Sequence, residues 1–439
     1  TEESDGKREE MEKKIQSSLD HMVRYSWVQE VNGIYEYQTD IQQDVLNGIR
    51  SVSLTPGEMR NFVADAIFTD KLSKNNLLKL KHNRTGLNFP YSKKIDGHDH
   101  GSPFGEVKLH FITGTEDNYP TDTELFTLSM TPNELLIVLP PDRKLVEDVA
   151  LFLRTNRYMQ QNSSGQLSDE KAAVIQAKNR ENGIRRKGTE SRIDMLLRDA
   201  RFLFNGREIT SQSADFFTRL NEAAQQLIEG SYIYLSKLTK VPVKGDITKL
   251  LSDYTSEQMI AEMGAFNDVE NELFMHIANK VDAGVRVDLN SLIDHFKKIP
   301  YGYIDNLIIP HALTSLFVNG KVTIFYNVTE MSAFDLLKRI DNSKEYSSII
   351  IKTVEDIPVE TVQAARKFAF DWFGKPLQAN DPKLIFTEMK EILGREAQDL
   401  KNLSFRVNDY PFLHRVDPVR ERFEKAISFD MRKFFEYIS

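Results

Sequence analysis

Three groups of side chains in this chain have types and spacings that could do chemistry. The first is Asp96-Gly97-His98-Asp99-His100, with His82 and His110 nearby in sequence. Imidazole and carboxylate together suit zinc or a non-haem metal. Gly97, Gly101 and Pro103 give the same segment the composition of a polar turn. The turn is the favoured reading, and no metal ligand is assigned. The second group is the basic stretch 178–207. Lys178, Arg180, Arg185, Arg186, Lys187, Arg192, Arg198, Arg201 and Arg207 stand there against Glu181, Glu190, Asp194 and Asp199. Such an excess of positive charge suits nucleic-acid phosphates, with Lys178, Arg180, Arg185, Arg186, Lys187 and Arg192 as the candidate contacts. A solvated helix laced with i,i+4 ion pairs is the competing account and the preferred one. The third group is Tyr303, Asp305, Asn306, His311 and Thr314, followed by Asn319-Gly320-Lys321. These would be the recognition helix and wing of a winged helix.

Other chemistries lack their residues. A phosphate-binding loop needs G-x-x-x-x-G-K-[ST] to aim backbone amides and a lysine at phosphates. Gly-Lys occurs at Gly6-Lys7, Gly320-Lys321 and Gly374-Lys375, never followed by Ser or Thr. No G-x-S-x-G elbow is present, and no nucleophile or general base is assigned. The chain has no cysteine, which excludes disulfides and thiolate metal sites and fits a reducing cytoplasm. A net charge of −8 argues against a general nucleic-acid coat. No apolar run reaches the roughly 20 residues that span a bilayer, and residues 1–14 are too polar for a secretory signal. The absence of an initial methionine suggests a processed chain or part of a longer one.

The elements that must position these groups can be read from periodicity. With 439 residues the chain has room for about three domains. Ile15, Leu19 and Met22 share one face of a helix over 7–22, which leads into strands on either side of Asn32-Gly33. This is how the second half of a winged helix looks. Residues 40–82 read as helical. From 87 to 140 strands are expected at Val107–Ile112, Leu125–Met130 and Leu135–Leu139. A helix over 143–159, a loop over 161–165 and a long helix from Ser168 to about Arg201 follow. Asn205-Gly206 turns a second hairpin, and a helix spans 212–237.

The segment 266–327 predicts helices over 268–280, 289–298 and 303–317, the last kinked at Pro310. A hairpin about Asn319-Gly320 then joins 316–318 to 322–326. Three helices and a wing describe a winged helix. Residues 266–330 hold five Lys or Arg against eight Asp or Glu, and helix three has no Lys or Arg. A protein-binding or architectural winged helix is therefore favoured over a DNA reader. The remainder reads as α/β, with a strand over 346–352 and helices over 358–373, 381–400 and 418–437.

Several passages in order resemble the large P-loop ATPases of the BREX phage-defence systems (BrxC/PglY type). They are Phe89-Pro90-Tyr91-Ser92-Lys93-Lys94-Ile95-Asp96-Gly97, Val107-Lys108-Leu109-His110-Phe111-Ile112-Thr113 and Leu136-Ile137-Val138-Leu139-Pro140. They continue with Asn179-Arg180-Glu181-Asn182 leading into Ala200-Arg201-Phe202-Leu203-Phe204-Asn205-Gly206. Lys298-Ile299-Pro300-Tyr301-Gly302 and Tyr410-Pro411-Phe412-Leu413 complete the set. The resemblance implies a parent with an AAA+-like ATPase module, where ATP and Mg would bind, and a bacterial, cytoplasmic role in excluding phage DNA beside other BREX components. No catalytic residue carries over, because the nucleotide-binding motifs have no matching positions here.

The expectation is a helix-rich, multidomain α+β chain with a winged-helix unit and a mixed α/β segment. Its divisions are a partial winged-helix-like segment (1–40), an α+β domain (41–160), a helix-hairpin-helix region (161–240), a winged-helix domain (246–330) and an α/β-like C-terminal domain (331–439). The expected function is a non-catalytic docking and relay region that binds partner BREX subunits. The alternative is a direct, sequence-independent double-stranded DNA-binding module using 178–207 and the winged helices. A metal-dependent nuclease on His98 and His100 ranks third.

Overall fold

The structure is a computed structural model that describes residues 2–25, 27–31, 33–115, 119–162, 168–255, 267–340, 342–354, 359–377, 382–407, 410–429 and 431–438. Asn32 of the first Asn-Gly pair and residues 163–165 of the expected loop lie outside them. The chain divides into two compact units, one of residues 1–273, 288–315 and 333–347, the other of 274–287, 316–332 and 348–439.

The first unit opens with helix α1 (Glu2–Arg24) and an antiparallel hairpin of β1 (Val28–Val31) and β2 (Ile34–Tyr37). Gly33 supplies the positive φ (78°) of its turn. Helices α2 (Asp40–Ser51) and α3 (Pro56–Ala64) pass into a π-helical run, Asp65–Ser73. The helical expectation for 40–82 stops there, because Lys79–Lys81 is strand β3. Next come β4 (Asn88–Ile95), β5 (His98–Asp99), β6 (Val107–Ile112), α4 (Asp122–Leu128) and β7 (Glu134–Val138). Then α5 (Arg143–Gln161), α6 (Asp169–Arg198), β8 (Arg201–Phe204), β9 (Arg207–Ile209) and α7 (Phe216–Ser231) complete the layer.

The strands form a seven-stranded sheet in the order β3-β4-β6-β7-β8-β9, with β5 paired to β4. β4, β6 and β7 run parallel to one another, β3 and β8 run antiparallel to their neighbours β4 and β7, and β9 pairs antiparallel with β8. Every residue of β7 is buried, as expected of a strand in a parallel sheet covered on both faces. Leu109, Phe111, Leu135 and Ile137 are fully buried in the middle of this sheet.

Two further expectations for residues 120–240 are corrected. Residues 125–130 are not a strand: Thr121 and Glu124 form a capping box that starts α4, and reciprocal capping outweighs the apolar run of Leu125-Phe126. The helix over 212–237 breaks at Ser231, and Ile233–Lys237 winds on as 3-10 helix.

Beyond it lie α8 (Lys244–Thr255), α9 (Asp268–Asp282), β10 (Val287–Asp288), α10 (Leu289–Phe296), α11 (Ile308–Val318), β11 (Val322–Tyr326), β12 (Thr329–Glu330) and α12 (Ala333–Arg339). These and β13 (Ile349–Thr353) carry the winged-helix elements, with strand order β10-β13-β11-β12. The expected helix three starts five residues late, at Ile308. Pro310 therefore falls in the first turn, where its missing N–H has no intrahelical partner to lose, and causes no mid-helix kink. The hairpin about Asn319-Gly320 is also corrected. Residues 316–318 are helical, Gly320 has φ +68°, and the Gly320 and Lys321 amides donate to the Phe317 and Leu316 carbonyls. That pattern is a Schellman cap, so the Asn-Gly pair stops α11. The hairpin turn lies instead at Asn327 (φ 54°) and Val328, between β11 and β12.

In the second unit β13 pairs antiparallel with β11 over five residues, Val322↔Thr353 to Tyr326↔Ile349. Tyr346–Ser348, assigned to that strand from sequence, belong to a 3-10 turn. Four helices follow: α13 (Val359–Phe373), α14 (Pro382–Ser404), α15 (Asp417–Ser428) and α16 (Met431–Ile438). They share a core of Ala365, Ala369, Met389, Leu393, Phe434 and Phe435. The single helix expected over 418–437 is thus two, parted at Phe429, whose backbone is extended (ψ 154°). Among the described residues of 331–439, β13 is the one strand.

Candidate functional site

The basic stretch lies along α6, which Ser168 caps by accepting the Lys171 amide. One face of α6 packs on α5, where the Asn182 amide donates to Phe152 O (3.1 Å) and Asn156 Oδ1 (2.9 Å). This burial decides the fate of several cations. Lys178 is buried and ion-paired with Glu181 at 3.0 Å. Arg185 is half-buried and donates to Asn182 Oδ1 at 2.9 Å. Burial pulls its pKa below the ordinary arginine value, against the nearby charges of Asp148 and Glu181. Arg186 pairs with Glu190 (3.1 Å) and Arg192 with Asp142 (2.8 Å). Of the six candidates, only Arg180 and Lys187 are both exposed and without a side-chain partner among the described residues. They are two helical turns apart on one face. Arg201 is held by Asp122 and Glu208 at 2.7 and 2.9 Å.

The expected recognition helix presents no reading face. None of residues 308–318 is exposed. Thr314 is fully buried and its hydroxyl donates to Pro310 O (2.8 Å). Asp305 accepts the Leu307 amide (2.8 Å) and Asn306 is exposed, both before the helix begins. Tyr303 is wholly buried, stacked 6.1 Å from Phe296, with its hydroxyl donating to Tyr234 O. His311 lines a pocket of about 370 Å³ with Lys237, Lys240, Asp246 and Lys249. Burial holds the His311 imidazole below its usual pKa, and the charge of Lys240 adds to this against Glu270 and Asp246. Lys237 is paired with Glu272 and Lys240 with Asp246, so little of the pocket's positive charge is free.

The histidine cluster disperses on the sheet. His82 bonds Thr85, His100 faces Asp65 at 3.3 Å, and His98 is exposed on β5. The buried His110 accepts the Gly97 amide at Nε2 (3.0 Å), so its proton sits on Nδ1 and is donated to Glu134 Oε1 at 2.5 Å. Lys94 completes the group at 3.2 Å from Glu134. Burial pushes the Glu134 carboxyl up, but the hydrogen bond from His110 and the charge and hydrogen bond of Lys94 outweigh it and hold the pKa below the ordinary value. Asp96 (φ 42°) accepts from the Thr113 amide and from the Thr113 and Thr115 hydroxyls. These groups secure the turns at the carboxyl ends of β4 and β6. Among the described residues no three His, Asp or Glu side chains gather as a metal-binding group.

One pocket could not be read from sequence. It measures about 550 Å³ and is lined by Lys79, Asn88, Phe104, Glu106, Lys297 and Lys298. Its residues come from segments some two hundred positions apart, brought together where Glu106 accepts the Ile299 amide. The sole sequence signal was Phe104, an aromatic residue beside the polar turn Gly101-Ser102-Pro103.

Against known families, residues 52–227 match the fourth domain of the BREX ATP-binding protein BrxC, described by its six-stranded β-sheet. Residues 234–355 match its winged helix-turn-helix domain and residues 361–439 its α-helical domain. The path β3-β4-β6-β7-β8-β9 supplies the six strands of the first description. No solved structure matches the chain.

Proposed function

Given that the chain belongs to the BrxC family of BREX ATP-binding proteins, we propose that it serves as a non-catalytic docking and relay region. It would engage other BREX components in the bacterial cytoplasm, in defence against phage, while ATP and Mg act at the ATPase module of the parent protein. The observation that carries this reading is α11. A winged helix reads duplex DNA with the exposed side chains of its third helix, and here none of residues 308–318 is exposed and none is Lys or Arg. Four of the six candidate phosphate contacts on α6 are also engaged within the fold.

The test is to immobilise the chain against the remaining components of its BREX system, alongside anisotropy titration with a labelled duplex at rising salt. Retention of a component, with duplex binding weak and without a steep salt slope, is the expected outcome. The second reading, direct binding to duplex DNA, rests on Arg180 and Lys187, exposed on one face of α6. It requires a log-log salt slope of several units that falls by about 2 when both are reversed to Glu. Such a result, with no component retained, would displace the docking account.

A further inference from the structure

The pocket lined by Lys79, Asn88, Phe104, Lys297 and Lys298 lies outside everything discussed under function. Its chemistry starts from Ser92. The Ser92 hydroxyl accepts the Phe104 and Gly105 amides (3.1 and 3.2 Å) and donates to Gly105 O (2.7 Å), so donor and acceptors are all engaged. Gly105 seats against β4 so closely that an added Cβ would lie 1.9 Å from Pro90 O. The loop is thereby pinned, yet the Phe104 ring is 64% exposed at the pocket. A large apolar ring fixed in solvent by its own backbone invites a planar partner.

Charge supplies the second half. Among the described residues none of the ammonium groups of Lys79, Lys297 and Lys298 is ion-paired. The one lining carboxylate, Glu106, accepts the Ile299 amide at 2.6 Å. Asn88 adds an amide donor and acceptor at the same wall. A flat ring beside three cations fits a base on the ring and phosphate on the lysines. The volume, about 550 Å³, suits a ligand of nucleotide size. A base within a duplex is already stacked on both faces and could not lie on Phe104.

We propose that this pocket binds a nucleoside phosphate through stacking on Phe104 and phosphate contacts to Lys79, Lys297 and Lys298, either as a free nucleotide or within a single strand. The proposal is independent of the docking reading and can stand or fall without it.

The full chain is titrated with a fluorescein-labelled oligothymidylate and, separately, with a methylanthraniloyl-labelled ADP. Binding of the first identifies a single strand as the source and binding of the second a free nucleotide; binding of both also supports the site. For a single strand the log-log salt slope should be about −2, from three lysine contacts. Phe104→Ala should weaken binding about tenfold, the double variant Lys79→Glu/Lys298→Glu should weaken it too, and Phe104→Tyr, which keeps the ring, should retain it. No binding of either probe, binding untouched by both substitutions, or an effect of only one of them would overturn the proposal.

Discussion

Glu134 shows how a single buried carboxylate ties the sheet together. It sits on β7, receives the Nδ1 proton of His110 on β6 and the ammonium of Lys94 on β4, and so spans three adjacent strands. Its folded-state pKa lies below its ordinary value, so its contribution to stability is complete above that value and is lost as pH falls through the folded one. Glu134→Gln should destabilise by about 2 kcal/mol at neutral pH, since it removes the counter-charge of the partly buried Lys94 ammonium. The gap to wild type should close as pH falls below the ordinary glutamate range. Urea melts of both proteins at several pH values measure this, and a gap independent of pH would contradict the linkage. The histidines that looked like ligands in sequence were legible as chemistry but not as a site. Residue type says what His110 can donate or accept, whereas the Gly97 amide decides where its proton sits.

At the scale of elements, the strands most readable from sequence were those buried on both faces. The runs 107–112 and 135–139 have no competing signal, and they form β6 and β7. Asn-Gly was ambiguous for a physical reason. At 205–206 both residues take positive φ (48° and 72°) and turn the β8-β9 hairpin, whereas at 319–320 the glycine alone does so and caps a helix. The dipeptide supplies the conformational freedom, and the preceding backbone decides its use. Gly320→Ala should therefore cost about 1 kcal/mol. Beyond its chain neighbours no atom lies within 4 Å of the added Cβ, so the cost is backbone conformation, readable as a shift in denaturant midpoint with an unchanged slope.

Across the whole molecule, the order of the chain and the order of the strands part company. β13, at residues 349–353, pairs with β11, at 322–326, while α12 and a 3-10 turn intervene in sequence. A chain cut after residue 330 loses that partner along all five residues of β11, leaving an open edge beside the buried Val322 and Ile324. It should self-associate on size-exclusion chromatography, whereas a chain cut after residue 355 should elute as a single species of its own size. Equal behaviour of the two would show that β13 contributes nothing to solubility. The lysine and Phe104 pocket belongs to this scale as well. No local pattern could announce it, because Lys79 and Lys298 become neighbours only through the packing of distant segments.

The late arrival of β13 also has a consequence in time. During synthesis, β11 emerges about 20 residues ahead of its partner, which at about 5–20 residues per second leaves it unpaired for roughly 1–4 s. Through that interval its exposed edge is protected by kinetics alone, so the speed of the ribosome over residues 327–348 helps set how much of the protein reaches its native sheet.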